Sequence, residues 1–264
     1  MKVSGNLIKM KTVAGDPIQY SLTLGTERVE INELLGQKIK LDYAHEIHCI
    51  VCGRRTPKSF AQGLCYPCFR DSPENSDCII RPELCRGHLG EGRDPEWEKA
   101  HHVQPHTVYL ALSSDIKVGV TRDTQIPTRW IDQGASQALI FAKTSNRYQA
   151  GMIEVALKAH IQDKTNWQRM LKNQVSDKSL LEAKGAMYNL LPDMWKSFVV
   201  PDKEIVELHY PVIRYPEKVI SQNLDKNPTL EGILTGIKGQ YLLFEDNRVI
   251  NIRNHSGYLV ELSA

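Results

Sequence analysis

The sequence has no run of about 18 apolar residues, so we expect no transmembrane helix and no membrane partner. Residues 1–16 lack the long apolar core of a signal peptide, which leads us to expect a cytoplasmic protein. Charge of neither sign dominates, because 33 Lys and Arg against 31 Asp and Glu leave a net charge of +2. A basic surface for nucleic acid must therefore be local.

The chain of 264 residues, 41% of them hydrophobic, can hold one large domain or two to three small ones. We predict an α+β protein made of a zinc-finger module and an α/β core, flanked by small β-sheet or barrel segments at both ends. Because both ends are β, these two segments could share one sheet. The four predicted segments are an N-terminal β segment (1–45), a Cys/His-rich zinc module (46–106), an α/β domain with trailing helices (107–200), and an extended linker with a small SH3-like or OB-like barrel (201–264).

All six cysteines lie between Cys49 and Cys85, which in a reducing compartment indicates metal rather than disulfides. The first four form two Cys-x2-Cys pairs with twelve residues between them: Cys49, Cys52, Cys65 and Cys68. Two thiolates so close in sequence can grip one ion, and four thiolates complete a tetrahedral zinc site. The alternatives are unrelated core cysteines or a redox disulfide pair, and the spacing favours zinc.

A second cluster follows at Cys78, Cys85 and His88. Three histidines come next, at positions 101, 102 and 106, and we predict His102 as the fourth ligand of a second zinc ion. The alternative is a site that has lost a ligand, with buried thiols and solvated histidines.

Residues 107–134 predict a β-hairpin followed by a short helix. Apolar runs at 107–112 and 116–120 flank a Ser-Ser-Asp turn, and Pro127 and Gly134 delimit the helix. The hairpin carries Tyr109 and Lys117, and the helix carries Arg129. A phenol, an amine and a guanidinium on one surface suit a phosphate ester.

This stretch resembles the start of the GIY-YIG nuclease domain. The likeness covers roughly residues 103–175: Thr107 to Tyr109 stand in place of Gly-Ile-Tyr, and Lys117 to Gly119 in place of Tyr-Ile-Gly. The residues that fit outright are Tyr109, Gly119, Arg129 and Glu154. The hairpin is shorter than usual, and Lys117 replaces the second tyrosine.

The resemblance implies a catalytic site of Tyr109, Lys117, Arg129 and Glu154, in which Glu154 holds Mg²⁺ or Mn²⁺. A lysine amine is protonated at neutral pH, so Lys117 acts as a base only if burial lowers its pKa. As a cation it grips phosphate instead. The residues alone favour Glu154 as a helix carboxylate that pairs with Lys158 at i+4, and with the resemblance the two roles are equal alternatives.

The whole chain also resembles an uncharacterised bacterial family that joins a cysteine-rich module to this hairpin. That family has cysteines near Gly92 and His102; histidine can replace a thiolate at zinc, and glycine cannot. Farther along, capping-box patterns at Thr165 to Gln168 and at Ser179 to Glu182 predict helix starts.

Three functions follow as alternatives. The first is a metal-dependent endonuclease, and the second is a non-catalytic protein that binds DNA or RNA. The third is a protein-interaction module with structural zinc. Aromatic and basic residues of the C-terminal strands could contact single strands, or the aromatics could belong to the core: Tyr241, Phe244, Arg248, Arg253 and Tyr258.

Overall fold

The computed structural model describes residues 1–161 and 166–264. It confirms a mixed α+β fold with several sheets. The chain forms two compact units. One contains Met1–Arg70 and Leu208–Ala264, and the other contains Asp71–Glu207. In the described part of the chain, no helix is both long and apolar enough to span a membrane.

The strands, in chain order, are β1 (Lys2–Asn6), β2 (Lys11–Val13), β3 (Gln19–Leu24), β4 (Glu27–Glu30), β5 (Lys38–Ile47), β6 (His106–Leu112), β7 (Ile116–Arg122), β8 (Gln137–Thr144), β9 (Val206–Glu207), β10 (Ile220–Ser221), β11 (Thr229–Lys238), β12 (Tyr241–Phe244), β13 (Arg248–Asn251) and β14 (Tyr258–Ser263). The α-helices are α1 (Tyr66–Asp71), α2 (Pro95–His102), α3 (Thr128–Asp132), α4 (Arg147–Lys158), α5 (Trp167–Leu171), α6 (Leu180–Leu190) and α7 (Asp193–Lys196).

The first unit contains a seven-stranded sheet in the order β1-β14-β5-β11-β12-β13-β10, and a three-stranded sheet in the order β2-β3-β4. The two ends of the chain meet in the larger sheet, where β1 pairs antiparallel with β14 from Lys2↔Ser263 to Asn6↔Leu259. The N-terminal and C-terminal β segments therefore share one sheet, which is the alternative that two β ends allowed. Neither the N-terminal strands nor the C-terminal strands alone form a sheet large enough to bury an apolar face.

The aromatic residues predicted for the C-terminal strands lie mainly inside this unit. Phe244 is 2% exposed and Tyr258 is 6% exposed. The Arg248 guanidinium is held by Asp246 and lies over the Phe244 ring, 6.0 Å from its centroid. These contacts favour the core alternative for the aromatic side chains.

The second unit is built on a four-stranded sheet in the order β7-β6-β8-β9. Every residue of β6 is buried, because the strand lies between two neighbours and has both faces covered. Val108, Leu110 and Leu112 pack on one face with Ile153 and Leu157 of α4. Residues of the opposite parity, among them Tyr109, therefore project from the other face.

Polar side chains begin three helices of this unit. Asn146 accepts from the Gln149 N–H at 3.0 Å, Asn166 from the Arg169 N–H at 3.1 Å, and Ser179 from the Glu182 N–H at 3.3 Å. The capping prediction that began at Thr165 lies outside the described residues, and the described helix α5 is capped by Asn166.

Gly119 is required by the packing of Tyr109. A Cβ atom at this position would lie 2.5 Å from the Tyr109 hydroxyl oxygen and 2.6 Å from its Cζ. We expect Gly119→Ala to lower the free energy of unfolding by about 1–3 kcal/mol, because a fully buried ring must move. Urea denaturation measures the change.

The matched control is Gly185→Ala in α6. Its added Cβ would meet no atom within 4 Å, so the methyl group should raise stability by about 0.5–1 kcal/mol through helix propensity. Equal stability of Gly119→Ala and the parent chain would contradict the packing of Tyr109 over position 119.

Candidate functional site

The first cysteine group brings four sulfurs together beyond the end of β5. The Sγ atoms of Cys49, Cys52, Cys65 and Cys68 all lie within 4.8 Å of one another. The Cys52 and Cys65 sulfurs are 3.7 Å apart, and no cysteine forms a disulfide. A tetrahedral ion with metal–sulfur bonds of about 2.3 Å places its sulfurs about 3.8 Å apart. The donor set and spacing therefore fit Zn²⁺.

Local backbone geometry produces this convergence. Gly53 has a φ of +70°, which allows its N–H to donate to the Cys49 carbonyl at 2.8 Å, while the Cys49 N–H donates to the Arg54 carbonyl. The second pair lies at the start of α1. Leu64, just before it, is 4% exposed and packs with Cys49 and Cys65. Each pair is thus presented by a tight turn.

Electrostatics in this group favour a bound cation. Burial opposes ionisation of Cys49, but N–H groups of Cys52, Cys65 and Val51 outweigh it and lower the Cys49 pKa to about 6. The pKa of Cys68 is raised to about 12, mainly by burial and to a smaller extent by the neighbouring sulfurs. Four close thiols cannot all ionise unless a positive charge joins them.

The second group lies in the other unit. Its members, each contributing one donor atom within 4.8 Å of every other, are Cys78, Cys85, Glu98 and His102. Glu98 belongs to this group and the predicted His88 does not: His88 is exposed, and its ring stacks on Tyr148 with centroids 4.7 Å apart. This group can also bind zinc.

The predicted histidines outside this group make other contacts. The Nδ1 atom of His101 bonds the Trp97 carbonyl at 2.8 Å, and the His101 ring stacks on Trp97. His106 is fully buried at the start of β6, where burial lowers its pKa to about 4. Both are hydrogen-bonding residues of the fold.

The hairpin places Tyr109 and Lys117 on one face. Tyr109 pairs with Gly119, and Ala111 pairs with Lys117. Antiparallel partners share a face, so the two side chains project to the same side. The Tyr109 hydroxyl donates to Gln133 Oε1 at 3.0 Å. Burial raises the pKa of Tyr109, and Arg129 opposes that increase through its charge and a hydrogen bond.

Lys117 and Arg129 form a pair of neighbouring cations, and both are half-buried. The pKa of Lys117 is lowered to about 8, mainly by burial and to a smaller extent by the charge of Arg129. Within residues 1–161 and 166–264, neither side chain forms an ion pair with a carboxylate. An anion at this face would relieve the repulsion between them.

Glu154 lies on α4 and is 6% exposed. Its Oε2 is 3.4 Å from the Lys158 Nζ, which is the i+4 ion pair that the sequence offered as an alternative. Burial raises the pKa of Glu154, and Lys158 opposes that increase. Burial is the main cause that raises the pKa of Tyr109, and the charge of Glu154 is a smaller one. The carboxylate is therefore within electrostatic reach of the phenol. A single cleft shared by Tyr109, Lys117, Arg129 and Glu154 stays a prediction.

Sequence reasoning missed two residues of these sites. Glu98 precedes His102 by four positions on α2, and the Asp94-Pro95 pair that starts this helix was a readable signal. Gln133 follows α3, and nothing in the sequence indicated that it would accept from Tyr109.

These features define an α+β protein with two potential zinc sites, one of four cysteines and the other of two cysteines, a glutamate and a histidine. The chain belongs to the family described as "Protein of unknown function (DUF2797)", whose model matches residues 36–260. The likeness to an uncharacterised family is thereby confirmed. Searches of curated proteins and of solved structures each found no significant similarity to this chain. No comparison supports the GIY-YIG resemblance.

We expect Cys52→Ser to remove one zinc ion per chain and to raise amide hydrogen exchange across residues 47–69. Structural zinc sites contribute roughly 10–16 kcal/mol to the folding of small metal-binding segments, so the loss is local and large. Metal analysis and exchange mass spectrometry give the two readouts. Ser59→Ala, in the same segment, is the control and should retain the ion. A Cys52→Ser chain with full zinc content would contradict this site.

Proposed function

We propose that this chain is a zinc-containing protein that binds nucleic-acid phosphates on the Tyr109 face of the β7-β6-β8-β9 sheet. The observation that carries this proposal is the pair of neighbouring cations, Lys117 and Arg129, which has no carboxylate partner among the residues described. A phosphate diester offers this pair a negative charge and several hydrogen-bond acceptors. The choice of DNA or RNA as the ligand rests on the resemblance stated above.

The environment of each group supports binding at this face. Arg129 supplies a planar fork of donors, and Lys117 supplies a point charge. Tyr109 is fully buried and donates to Gln133, so its role here is to hold the face rather than to take a proton. The net charge of +2 is small, which makes a local cation pair the main source of attraction.

Cleavage is the second candidate, and the Lys117 amine is the observation that favours it. With a pKa of about 8, roughly a tenth of the amine is neutral at pH 7 and can accept a proton from water. The fit to Mg²⁺ or Mn²⁺ is partial, because such ions need a free carboxylate and Glu154 is paired with Lys158. Binding without cleavage is therefore the primary proposal.

We expect Arg129→Ala to weaken binding to a DNA or RNA oligonucleotide by roughly tenfold to hundredfold, since a charge-assisted hydrogen bond contributes about 1.5–3 kcal/mol. Fluorescence anisotropy at several salt concentrations also gives the salt dependence, whose slope should decrease. Lys203→Ala, which removes an exposed lysine of the same unit, should change affinity little. Equal loss in both variants would refute a specific face.

Binding should also depend on pH in a set direction. A bound phosphate favours the ammonium form of Lys117, so affinity should be full well below pH 8 and fall as the pH rises through 8. Lys117→Arg keeps its charge over this range and should bind with little pH dependence. A parent chain whose affinity is constant from about pH 7 to about pH 9, roughly one unit either side of the Lys117 pKa, would overturn the role of Lys117.

Cleavage is tested separately with the same oligonucleotides. If the second candidate holds, divalent-dependent cleavage disappears in Glu154→Gln and persists in Glu182→Gln, which alters an exposed glutamate of α6. Binding without any cleavage by the parent chain supports the primary proposal and rejects the second candidate.

A further inference from the structure

We propose that Glu98 is the fourth ligand of a second zinc ion, held with Cys78, Cys85 and His102, and that this ion clamps the segment 71–102 onto helix α4. Such a metal centre and its mechanical role do not depend on whether the protein binds nucleic acid.

The His102 nitrogen lies from each cysteine sulfur at the distance that a tetrahedral ion requires. The His102 Nδ1 is 3.6 Å from the Cys85 sulfur and 3.8 Å from the Cys78 sulfur. Metal bonds of about 2.3 Å to sulfur and about 2.0–2.1 Å to nitrogen place such atoms about 3.6 Å apart. The Glu98 Oε2 lies against the same Nδ1. Soft thiolates combined with imidazole and carboxylate suit Zn²⁺.

Glu98 is a buried carboxylate whose ion-pair contact is with His102, another donor of the same group. It is 2% exposed, and its Oε2 accepts no hydrogen bond. The other oxygen has a distant donor, Ser76 Oγ at 3.4 Å. A buried carboxylate with so few donors is costly, and buried charges are normally paired or coordinate metals. An ion at the group supplies the missing partner.

The local fold delivers Glu98 to this position. The Asp94 side chain caps α2 by accepting from the Trp97 N–H at 3.0 Å. Glu98 and His102, four residues apart, then lie on one face of the helix. A Cβ atom at Gly92 would lie 2.4 Å from the Glu98 Cγ, so the carboxylate occupies the space that a side chain at position 92 would fill.

The segment has no apolar core of its own. Within residues 71–102, the buried residues are the four donors together with Pro82 and Gly87. Its larger aliphatic side chains face solvent, with Ile80 81% exposed and Leu89 58% exposed. Small units of this kind need a metal or a disulfide to remain folded. The donors are the interior of the segment, and the ion holds them together.

Helix α4 is the surface on which the segment is clamped. The Arg147 guanidinium donates to the carbonyls of Cys78 at 2.9 Å and Ile79 at 2.8 Å. A Cβ atom at Gly151 would lie 2.3 Å from the Glu83 backbone nitrogen, so the two backbones are in direct contact.

Charge balance supports the same arrangement. Two thiolates, one carboxylate and one divalent ion sum to a formal charge of −1, and the Arg147 guanidinium beside them contributes +1. The charges of Cys78 and Cys85 act on Arg147 across this contact. A cavity of about 300 Å³ borders Cys78 and Glu98 and provides access for an ion.

The test uses the full chain and measures bound metal directly. The parent chain should bind two ions, and its Co²⁺ form should show charge-transfer absorption for six cobalt–thiolate bonds rather than four. Glu98→Ala should lose one ion and increase amide exchange across α4 (147–158). Glu96→Ala, which alters an exposed glutamate of α2, should retain both ions and the parent exchange pattern.

A Glu98→Ala chain that keeps two ions and unchanged exchange in α4 overturns the proposal. If that variant does not fold, the parent chain decides. One ion per chain, or cobalt absorption equivalent to four thiolates, rejects the second centre, whereas two ions and six thiolates support it.

Discussion

Repulsion between thiolates held a few ångströms apart is the constraint on which much of this structure depends. Six cysteines converge in two groups, with four in one and two in the other, and no disulfide relieves the crowding. Close thiols can ionise together only when a cation joins them. Because these segments bury few aliphatic side chains, an ion bound at each group would take the place of a hydrophobic core. We therefore expect the order of the chain from the end of β5 to the end of α2 to depend on metal.

The sheet of the second unit creates a comparable electrostatic problem on a smaller scale. The pairing of Tyr109 with Gly119 sets the hairpin register, and that register places Lys117 beside Arg129. A shift of one residue would have sent Lys117 into the apolar face occupied by Val118. The packing of one tyrosine over one glycine thus brings two cations within electrostatic reach of each other, and a bound anion would relieve the repulsion between them.

The two zinc groups differ in how much of each can be read from the sequence. Spacing within a short segment predicts the four-cysteine group, because the two cysteines of each pair lie in one tight turn. The membership of Cys78, Cys85 and His102 in a second group is also predicted, but proximity in sequence favours His88 over Glu98. In the folded chain the His88 ring stacks on Tyr148, and helix α2 places Glu98 beside the two cysteines.

The amino-acid pattern by itself determined the α+β class, the hairpin with its Ser-Ser-Asp turn, and the first group of thiolates, since all of these follow from local periodicity and short spacing. The sequence allowed the two β ends to share a sheet, but tertiary structure alone decided that β1 pairs with β14, because pairing between strands at opposite ends of the chain has no local signal. It also decided that Gly92 makes room for the Glu98 carboxylate, and that Lys117 and Arg129 lie together without a carboxylate partner among the described residues. These outcomes depend on which surfaces pack together, and packing is a property of the folded chain rather than of any one segment.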